Sequence, residues 1–352
     1  MTREIFLAYN LVEDELDIKP IGNGLINTTW LVSNGKSDFI LQKINTDVFK
    51  HPESIAKNIR LLANYLHKNH PGYLFAVPLK TIDSKEMVHT DNNEYFRLTP
   101  YIKDSCTINT VAKPRQAYQA ARQFGKFTRL LSQFPVEKLQ ITLPDFHNLI
   151  LRYSQFEEAL KKGNFIRIGD SHELINYIKA NKNIVTTYQN ILHNSSFKLR
   201  VTHHDTKISN VLFDKNDDGL CVIDLDTIMP GYFISDVGDM LRTYLSPVSE
   251  EEKDFSKIEI REDYFEAIRN GYMSEMKDEL SDEEKKHFIY AGKFMIYMQA
   301  IRFLTDHLNN DVYYGAKYDG HNFVRAGNQI VLLQRLIEKE KALKSLIEKN
   351  PL

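Results

Sequence analysis

The chain has 352 residues, of which 42% are apolar, and this is enough to fill the cores of two domains or lobes. Its net charge of −2 gives no electrostatic reason to expect binding to nucleic acid or to an anionic membrane surface. No stretch approaches ~18 uninterrupted apolar residues, and the N-terminal residues form no apolar leader segment. We therefore expect a cytoplasmic protein with no membrane contact and no obligatory protein partner. Cys106 and Cys221 lie in apolar segments without metal-ligand spacing, which predicts two buried thiols in a reducing compartment.

Short runs of strand-forming residues dominate the first part of the chain. A single helix interrupts them, from Pro52 to Lys68, and it carries Ile55, Ile59, Leu62 and Leu66 on one face. Strands are predicted at residues 17–21, 28–32, 39–44, 74–80, 87–90 and 95–99.

Apolar positions recur at helical spacing after residue 101. The acidic run at residues 250–254 is predicted to be a solvated loop. The chain therefore predicts an α+β, bilobal fold, with a small antiparallel-sheet lobe at residues 1–101 and a large, mainly helical lobe at residues 102–352. Helices are predicted at residues 114–132, 145–162, 172–192, 263–277, 281–307 and 323–346.

The segment from His203 to Asn210 holds the densest set of polar residues with regular spacing. Asp205 is followed by Lys207 two residues later and by Asn210 five residues later, and Asp224 comes after one further strand. This spacing is typical of phosphoryl transfer from ATP. Asp205 is predicted to accept the proton of the attacking hydroxyl, and Lys207 to face the γ-phosphate. Asn210 and Asp224 are predicted to hold Mg²⁺ through oxygen ligands.

The residues around Asp224 refine this prediction. Strands at 211–213 and 220–223, joined by a turn at 216–219, predict a β-hairpin with the metal site at its base. Asp226 is predicted to be a second metal ligand, or else to hydrogen-bond the loop. Asp236 is predicted to brace the catalytic loop. Because it follows within twelve residues of Asp224, there is no room for a phosphorylatable activation loop or a peptide docking platform.

A glycine-containing turn joins the first two predicted strands. Gly22 and Gly24 allow backbone N–H groups to approach phosphates closely, and the side chains of Asn27 and Thr28 add donors. The alternative is a plain turn between two strands.

Three further residues are predicted to contact the nucleotide. Lys43 ends the strand at 39–44, where a kinase fold keeps the lysine that binds the α- and β-phosphates. The alternative is a lysine at the end of a strand whose side chain reaches solvent. Glu53 in the following helix either pairs with Lys43 or only favours the helix dipole. Thr99 and Tyr101 lie where the lobes join, and this segment either offers backbone groups to the adenine edge or is only a linker.

The motif His203-x-Asp205-x4-Asn210, together with Ile223-Asp224, resembles that of the aminoglycoside phosphotransferase and choline kinase superfamily. Its members share a bilobal protein-kinase-like fold and phosphorylate hydroxyl groups of small molecules. More narrowly, residues 18–335 resemble the N-acetylhexosamine 1-kinases. This resemblance implies ATP as donor, Mg²⁺ as cofactor, and the anomeric hydroxyl of N-acetylglucosamine or N-acetylgalactosamine as acceptor. It is carried by the segments 22–27, 40–45, 98–101, 205–207 and 222–231.

The resemblance also implies that Arg302 and Tyr313 approach the sugar. Taken from the residues alone, Arg302 lies on an apolar helix and needs a partner, either Asp306 or a ligand oxygen. Two alternative functions are open. One is a kinase of another small alcohol, such as homoserine, choline or an aminoglycoside. The other is a nucleotide-binding pseudokinase, and the intact Asp205 and Asp224 argue against it.

Overall fold

A five-stranded antiparallel sheet forms the N-terminal part of the protein. The computed structural model describes residues 3–21 and 26–350, so Gly22 and Gly24 lie outside the described residues. The strands are ordered β1-β2-β3-β5-β4 in space. They are β1 (Asp17–Pro20), β2 (Thr28–Ser33), β3 (Asp38–Ile44), β4 (Val88–His89) and β5 (Tyr95–Pro100).

The strand predicted at 74–80 is absent, because these residues have no regular secondary structure. Leu79 N–H donates to Leu98 O at 2.7 Å, but Pro78 beside it has no N–H for a continuous ladder. One face of the sheet packs against a short helix that the sequence reading missed, α1 (Arg3–Leu7). Its Ile5 and Phe6 are buried with apolar residues of the strands, namely Val32, Leu41, Val88, Phe96 and Leu98.

Helix α2 (Pro52–Asn69) agrees with the predicted helix, and the predicted apolar face is buried in the main core. The fully buried Asn58 ties α2 to two other segments. Its Nδ2 donates to Gln140 O at 2.8 Å and to Ile228 O at 2.9 Å, and its Oδ1 accepts from Gln140 N–H at 2.8 Å. Asn58 therefore connects α2 to the segment that follows Asp224.

The rest of the chain is mainly helical and shares one large apolar core. The predicted helix at 172–192 is two helices separated by Asn181 and Lys182, and the predicted helix at 281–307 is broken at His287. The helices are α3 (Pro114–Leu130), α4 (Leu149–Lys162), α5 (Phe165–Asp170), α6 (His172–Ala180), α7 (Asn183–Leu192), α8 (Phe233–Tyr244), α9 (Glu262–Met276), α10 (Asp282–Lys286), α11 (Phe288–Leu308) and α12 (His321–Lys349).

Two small sheets carry the predicted catalytic segment. β7 (Arg200–Thr202) pairs with β10 (Met229–Gly231), and β6 (Cys106–Thr107), β8 (Val211–Phe213) and β9 (Gly219–Val222) form a three-stranded sheet in the order β6-β8-β9. The predicted hairpin is therefore confirmed as β8 and β9. Among the described residues, no helix is long and apolar enough to cross a membrane.

One prediction about a single residue is wrong, and the prediction of a solvated loop at residues 250–254 holds only in part. Cys106 is exposed, because β6 lies at the edge of its sheet, whereas Cys221 is buried as expected. Burial raises the pKa of Cys221 to about 12. Glu250 is not simply solvated, because its carboxylate accepts hydrogen bonds from both Arg242 and Arg325. The lobe boundary between residues 101 and 102 stays a prediction.

Candidate active site

The structure brings Asp205, Lys207 and Asn210 together in the loop after β7. Asp205 Oδ2 accepts hydrogen bonds from Lys207 Nζ and from Asn210 Nδ2, both at 2.9 Å. The preceding residue, His204, has a left-handed backbone with φ 66°, an uncommon conformation for a residue other than glycine. Such strain is found at functional sites, where the surrounding structure holds it in place.

Opposing charges set the protonation states in this loop. Burial pushes the pKa of Asp205 upward, but the charge and hydrogen bond of Lys207, with contributions from His203 and Asn210, lower it below the ordinary value. Burial pushes the pKa of Lys207 downward, but the charges of Asp205 and Asp224 raise it overall. At neutral pH, Asp205 is therefore a carboxylate and Lys207 is an ammonium group.

Asp224 follows β9 and also has a left-handed backbone, with φ 59° and ψ 61°. Ile223 N–H donates to Asn210 O at 2.9 Å, which ties this position to the catalytic loop. Burial, followed by the charges of Asp226 and Asp205, raises the pKa of Asp224 to about 7. Among the described residues, none donates a hydrogen bond to the Asp224 carboxylate. This half-buried carboxyl group thus lacks a hydrogen-bond donor, and its raised pKa leaves it partly protonated near neutral pH.

The oxygen atoms of Asp224 and Asn210 fit a hard cation such as Mg²⁺. Because Asn210 Nδ2 donates to Asp205, its Oδ1 is left as a free acceptor. No group of three His, Cys, Asp or Glu side chains in the described part of the chain is arranged to hold a metal ion. Magnesium sites in kinases commonly combine one or two protein oxygens with nucleotide phosphates and water, and the residues present here fit that type of site.

Asp226 is buried and both of its oxygens accept hydrogen bonds. Oδ1 accepts from Arg97 Nη1 in an ion pair, and Oδ2 accepts from Asn27 Nδ2 at 2.7 Å. Arg97 also donates to Gln42 Oε1, at 3.0 Å from Nε and 2.8 Å from Nη2. The structure thus places Asp226 in a hydrogen-bonded cluster between the lobes, which favours the alternative predicted for it. Its role as a second metal ligand stays a prediction.

Arg97 is a site residue that the sequence reading missed, and Lys43 does not join the cluster. Gln42 lies directly opposite Arg97 in the register of β3 and β5, so these two side chains share one face of the sheet. Lys43 is one residue further along and points to the other face, where it pairs with Glu94. Glu53 hydrogen-bonds Tyr95 instead of Lys43. One signal could have identified Arg97, namely a charged residue inside the apolar strand Phe96-Arg97-Leu98.

The remaining predicted nucleotide contacts are dispersed. Thr28 is exposed at the start of β2, and Asn27 lies beside Asp226. Thr99 is two residues after Arg97 and shares its face of β5. Tyr101 N–H donates to Asp38 O at 3.0 Å and is therefore engaged within the lobe. Nucleotide contacts by these residues remain predictions.

Two aspartate side chains of helix α8 hold the catalytic loop through hydrogen bonds. Asp236 Oδ2 accepts from His203 N–H at 3.0 Å, and its Oδ1 accepts from His204 N–H at 2.8 Å. Asp239 Oδ2 accepts from Thr206 N–H at 2.8 Å. The predicted bracing role of Asp236 is confirmed. Three backbone N–H groups of the strained loop, on both sides of Asp205, are thus held by two aspartate side chains, which fixes the position of Asp205.

The two residues assigned to sugar contact lie in one cavity. Arg302 on α11 and Tyr313, in the loop that follows, line a cavity of about 360 Å³ against α4. Asp306 forms no ion pair with Arg302, because its Oδ1 accepts from Tyr313 N–H at 2.7 Å and its Oδ2 from Tyr314 N–H at 2.9 Å. Arg302 Nη1 donates only a 3.3 Å hydrogen bond, to Gln299 Oε1, among the described residues.

A series of aromatic contacts connects this cavity to the catalytic loop. The guanidinium carbon of Arg302 is 5.7 Å from the ring centroid of Phe146. Phe146 stacks on His147 at 4.5 Å, and His147 contacts His204 at 5.3 Å between centroids. His204 directly precedes Asp205. Three successive contacts therefore link Arg302 to the residue that precedes Asp205.

Residues 17–272 match the model of a family described as APH, phosphotransferase enzyme family. A microcompartment-associated aminopropanol kinase superposes with a TM-score of 0.69 at 13% identity, over 97% of this chain and 97% of that one. An amicoumacin kinase in complex with AMP-PNP and Ca²⁺ has a TM-score of 0.63 at 14% identity, over 94% and 92%. An ethanolamine kinase from Plasmodium vivax has a TM-score of 0.59 at 14% identity, over 94% and 87%. The predicted α+β, protein-kinase-like fold is thereby confirmed.

Proposed function

The chain belongs to the phosphotransferase enzyme family, and from that premise we propose that it transfers the γ-phosphoryl group of ATP to a small-molecule hydroxyl. We propose further that the acceptor is the anomeric hydroxyl of N-acetylglucosamine or N-acetylgalactosamine, which yields the sugar 1-phosphate. The donor assignment is supported by the amicoumacin kinase, which has this fold and was solved with AMP-PNP.

Each residue of the catalytic loop has a distinct role in this reaction. Asp205 orients the acceptor hydroxyl and takes its proton, because its lowered pKa keeps it ionised at neutral pH. The ammonium group of Lys207, beside Asp205, offsets the negative charge of the transferred phosphoryl group. Asn210 and Asp224 would hold Mg²⁺, which would supply positive charge against the phosphates of the nucleotide.

The observation that carries the acceptor assignment is the absence of an ion pair at Arg302 among the described residues. A cationic acceptor such as choline, ethanolamine or an aminoglycoside needs carboxylates that face its ammonium group. Asp306, the carboxylate beside Arg302, is already committed to the backbone of residues 313 and 314. Arg302 and Tyr313 instead offer hydrogen-bond donors and an aromatic ring, which suit the oxygens and the apolar face of a sugar.

Two other functions compete with this proposal. A kinase of another small alcohol, such as homoserine, would use the same catalytic loop with a different contact at Arg302. A pseudokinase would lack turnover; the hydrogen bonds from Asn210 to Asp205 and from Ile223 to Asn210 argue against it. Release of ADP with an acceptor present separates the pseudokinase from both kinases.

A screen of acceptors tests the proposal. With Mg-ATP, phosphorus NMR should detect a phosphate on the anomeric carbon of N-acetylglucosamine or N-acetylgalactosamine, and little product from choline, ethanolamine or homoserine. A methyl glycoside of N-acetylglucosamine should be inert because its anomeric oxygen is blocked. The 6-deoxy analogue, which loses one peripheral hydrogen bond of about 0.5–1.5 kcal/mol, should still react. A phosphorylated methyl glycoside combined with an unreactive 6-deoxy sugar would identify a 6-kinase and refute the assignment.

A further inference from the structure

A second arginine lines the cavity that contains Arg302. Arg152 lies in the first turn of α4, across the cavity from α11. Burial, followed by the positive charge of Arg302, lowers the pKa of Arg152. The two guanidinium groups are thus close enough to repel each other, and the smaller opposing contributions at Arg152 come from Tyr313, Tyr314 and Asp145.

The hydrogen bonds of Arg152 leave part of its guanidinium group unused. Nη1 donates to Gln155 Oε1 at 3.0 Å, and Nη2 donates to Asp145 O at 3.1 Å. Nε is buried and has no hydrogen-bond partner among the described residues. A buried N–H without a partner is costly and is rarely retained unless a ligand or water satisfies it.

The carboxylates that line the cavity are engaged elsewhere. Asp306 accepts from the backbone of residues 313 and 314, and Glu158 pairs with Lys162 at 2.5 Å on the same helix. Thr305 Oγ1, also at the cavity, is buried without a partner among the described residues. Part of each guanidinium group and one hydroxyl therefore remain as unused donors, and no carboxylate of the described lining forms an ion pair with either arginine.

We propose that Arg152, Arg302 and Thr305 form a subsite for an oxyanion, which is a carboxylate, sulfate or phosphate carried by the acceptor. This inference rests on the proposed sugar acceptor and extends it: the preferred substrate is an acidic derivative of the N-acetylhexosamine. A guanidinium group binds planar or tetrahedral oxyanions through paired N–H donors, and two such groups in a half-buried cavity favour a charged substituent over a neutral hydroxyl. The aromatic contacts from Phe146 to His204 connect this subsite to the loop that holds Asp205.

Binding measured without nucleotide tests the subsite independently of turnover. Isothermal titration calorimetry of the full chain would compare N-acetylglucosamine, its 3-sulfate, its 6-sulfate and the corresponding uronic acid at constant ionic strength. At least one acidic sugar should bind about tenfold more tightly than the neutral sugar, as expected for charge-assisted hydrogen bonds. Equal affinities for all four sugars would overturn the proposal.

Variants of Arg152 locate the effect. Arg152→Gln should remove the advantage of the acidic sugar, about tenfold, while neutral sugar binding changes by less than about threefold. Arg152→Lys, which keeps the charge without the paired donors, should retain part of the advantage. The control is Arg335→Gln on α12, whose guanidinium pairs with Glu338 and does not line the cavity. Thermal melting would establish that each variant is folded.

Two further outcomes are informative. If inorganic sulfate binds and Arg152→Gln abolishes that binding, but no acidic sugar gains affinity, the assignment of the anion to the acceptor is refuted. If the acidic sugars keep their advantage in Arg152→Gln, the subsite lies elsewhere and the proposal also fails. Failure of the sugar kinase proposal would give a different result. In that case no N-acetylhexosamine, neutral or acidic, would yield a 1-phosphate in the turnover screen.

Discussion

At Asp205, the hydrogen bonds that orient the carboxylate also favour its charged form. Lys207 and Asn210 both donate to Oδ2, which leaves Oδ1 to face an acceptor hydroxyl. The lowered pKa means that the base is available at neutral pH without a prior proton loss. A base with a lowered pKa is weak, so its main contribution is to orient the hydroxyl until the proton is transferred.

Asp205→Asn tests this role. The variant should lose about 10²–10⁴ in kcat, the range for a positioned acid–base group, because an amide cannot accept the proton. Binding of Mg-ATP should change little, since Asp205 is not a proposed metal ligand. Asp91→Asn, in an exposed turn of the N-terminal lobe, is the control. A kcat above a tenth of the wild-type value in Asp205→Asn would remove Asp205 from the mechanism.

Asp236 makes the stability of the unliganded protein depend on pH. Burial raises its pKa to about 7; the N–H groups of His203 and His204 oppose that rise, while Asp239 and Asp205 add to it. In the unfolded chain an aspartate titrates near pH ~4. Between these two values the unfolded state has lost a proton that the folded state still binds, so stability falls as pH rises. The loss from this group is complete above pH ~7 and amounts to about 4 kcal/mol at most.

Asp236→Asn should remove this component of the pH dependence. The variant loses one acceptor for the backbone of the catalytic loop, so at pH 5 it should be less stable than the wild type. As pH rises to 7.5, the difference in unfolding free energy between the wild type and the variant should shrink, because only the wild type must ionise a buried group. Urea unfolding at several pH values measures both curves. A difference between them that stays constant with pH would contradict the raised pKa.

Among the secondary structure elements, those with local signals were predictable from the sequence. The hairpin β8–β9 and the spacing from Asp205 to Asn210 depend on residues close together in the chain, and both were predicted correctly. Arg97 and Lys43 show where prediction from local sequence fails. Which of them faces Asp226 depends on how β3 pairs with β5, and these strands are about fifty residues apart in the chain. A shift of one residue in that pairing would exchange the two faces of the sheet.

The same limit applies to the cavity and to the break points of the helices. Asp306 was a reasonable partner for Arg302 by helical spacing, but the loop after α11 folds back and its backbone takes both carboxylate oxygens. Arg152 belongs to no recognisable sequence motif, and only the packing of α4 on α11 brings it to the cavity. The division at Asn181 and Lys182 arises from tertiary packing of two short helices, which periodicity does not reveal.

Helix α2 is connected to the site through one buried amide, which predicts a large effect from a small change. Asn58→Ala leaves the N–H and C=O of Gln140 and the C=O of Ile228 without their partner. Each unpaired buried group costs about 1–3 kcal/mol, so the variant should lose roughly 2–4 kcal/mol of unfolding free energy.

Asn64→Ala is the matched control for Asn58→Ala, because Asn64 is exposed on the same helix. It should be neutral or slightly stabilising, since alanine is the better helix former. Urea unfolding of both variants gives the comparison. A loss below about 0.5 kcal/mol in Asn58→Ala would mean that water replaces the amide and that α2 is held by its apolar face alone.

Across the whole molecule, one polar network joins the catalytic loop to the loop that carries Tyr313. Asp239, which holds Thr206 N–H, accepts from Arg242 at 3.0 Å, and Arg242 donates to Glu250 at 2.7 Å. Glu250 also pairs with Arg325, whose Nη1 donates to Asn322 Oδ1 at 3.2 Å. The network ends where Asn322 Nδ2 donates to Asp306 Oδ2 at 3.1 Å, and Asp306 holds the backbone of residues 313 and 314.

Glu250 is the central member of this network, since it is the carboxylate shared by two arginines. Those arginines, Arg242 and Arg325, have side chains that are only 17% and 12% exposed, so their charges need nearby carboxylates. Each has one further partner, Asp239 for Arg242 and Glu251 for Arg325, and Glu250 is the partner that they share. Glu250→Gln keeps the size of the side chain and removes the charge. The resulting repulsion should displace Arg325 and, through Asn322 and Asp306, the loop with Tyr313.

The expected result for Glu250→Gln is a coupled defect in acceptor use. KM for the acceptor should rise and kcat should fall, each by about three- to tenfold, because both the cavity and the catalytic loop lose a support, while KM for ATP stays near its original value. Unfolding free energy should fall by on the order of 2 kcal/mol. Glu252→Gln is the control, because its carboxylate contacts neither arginine: it pairs with the exposed Lys257 across 3.4 Å and accepts from Asp254 N–H at 2.9 Å. A purely structural role would lower stability and leave the acceptor KM unchanged. That outcome would show that the two loops are independent, because loss of the shared carboxylate would then not reach residues 313 and 314.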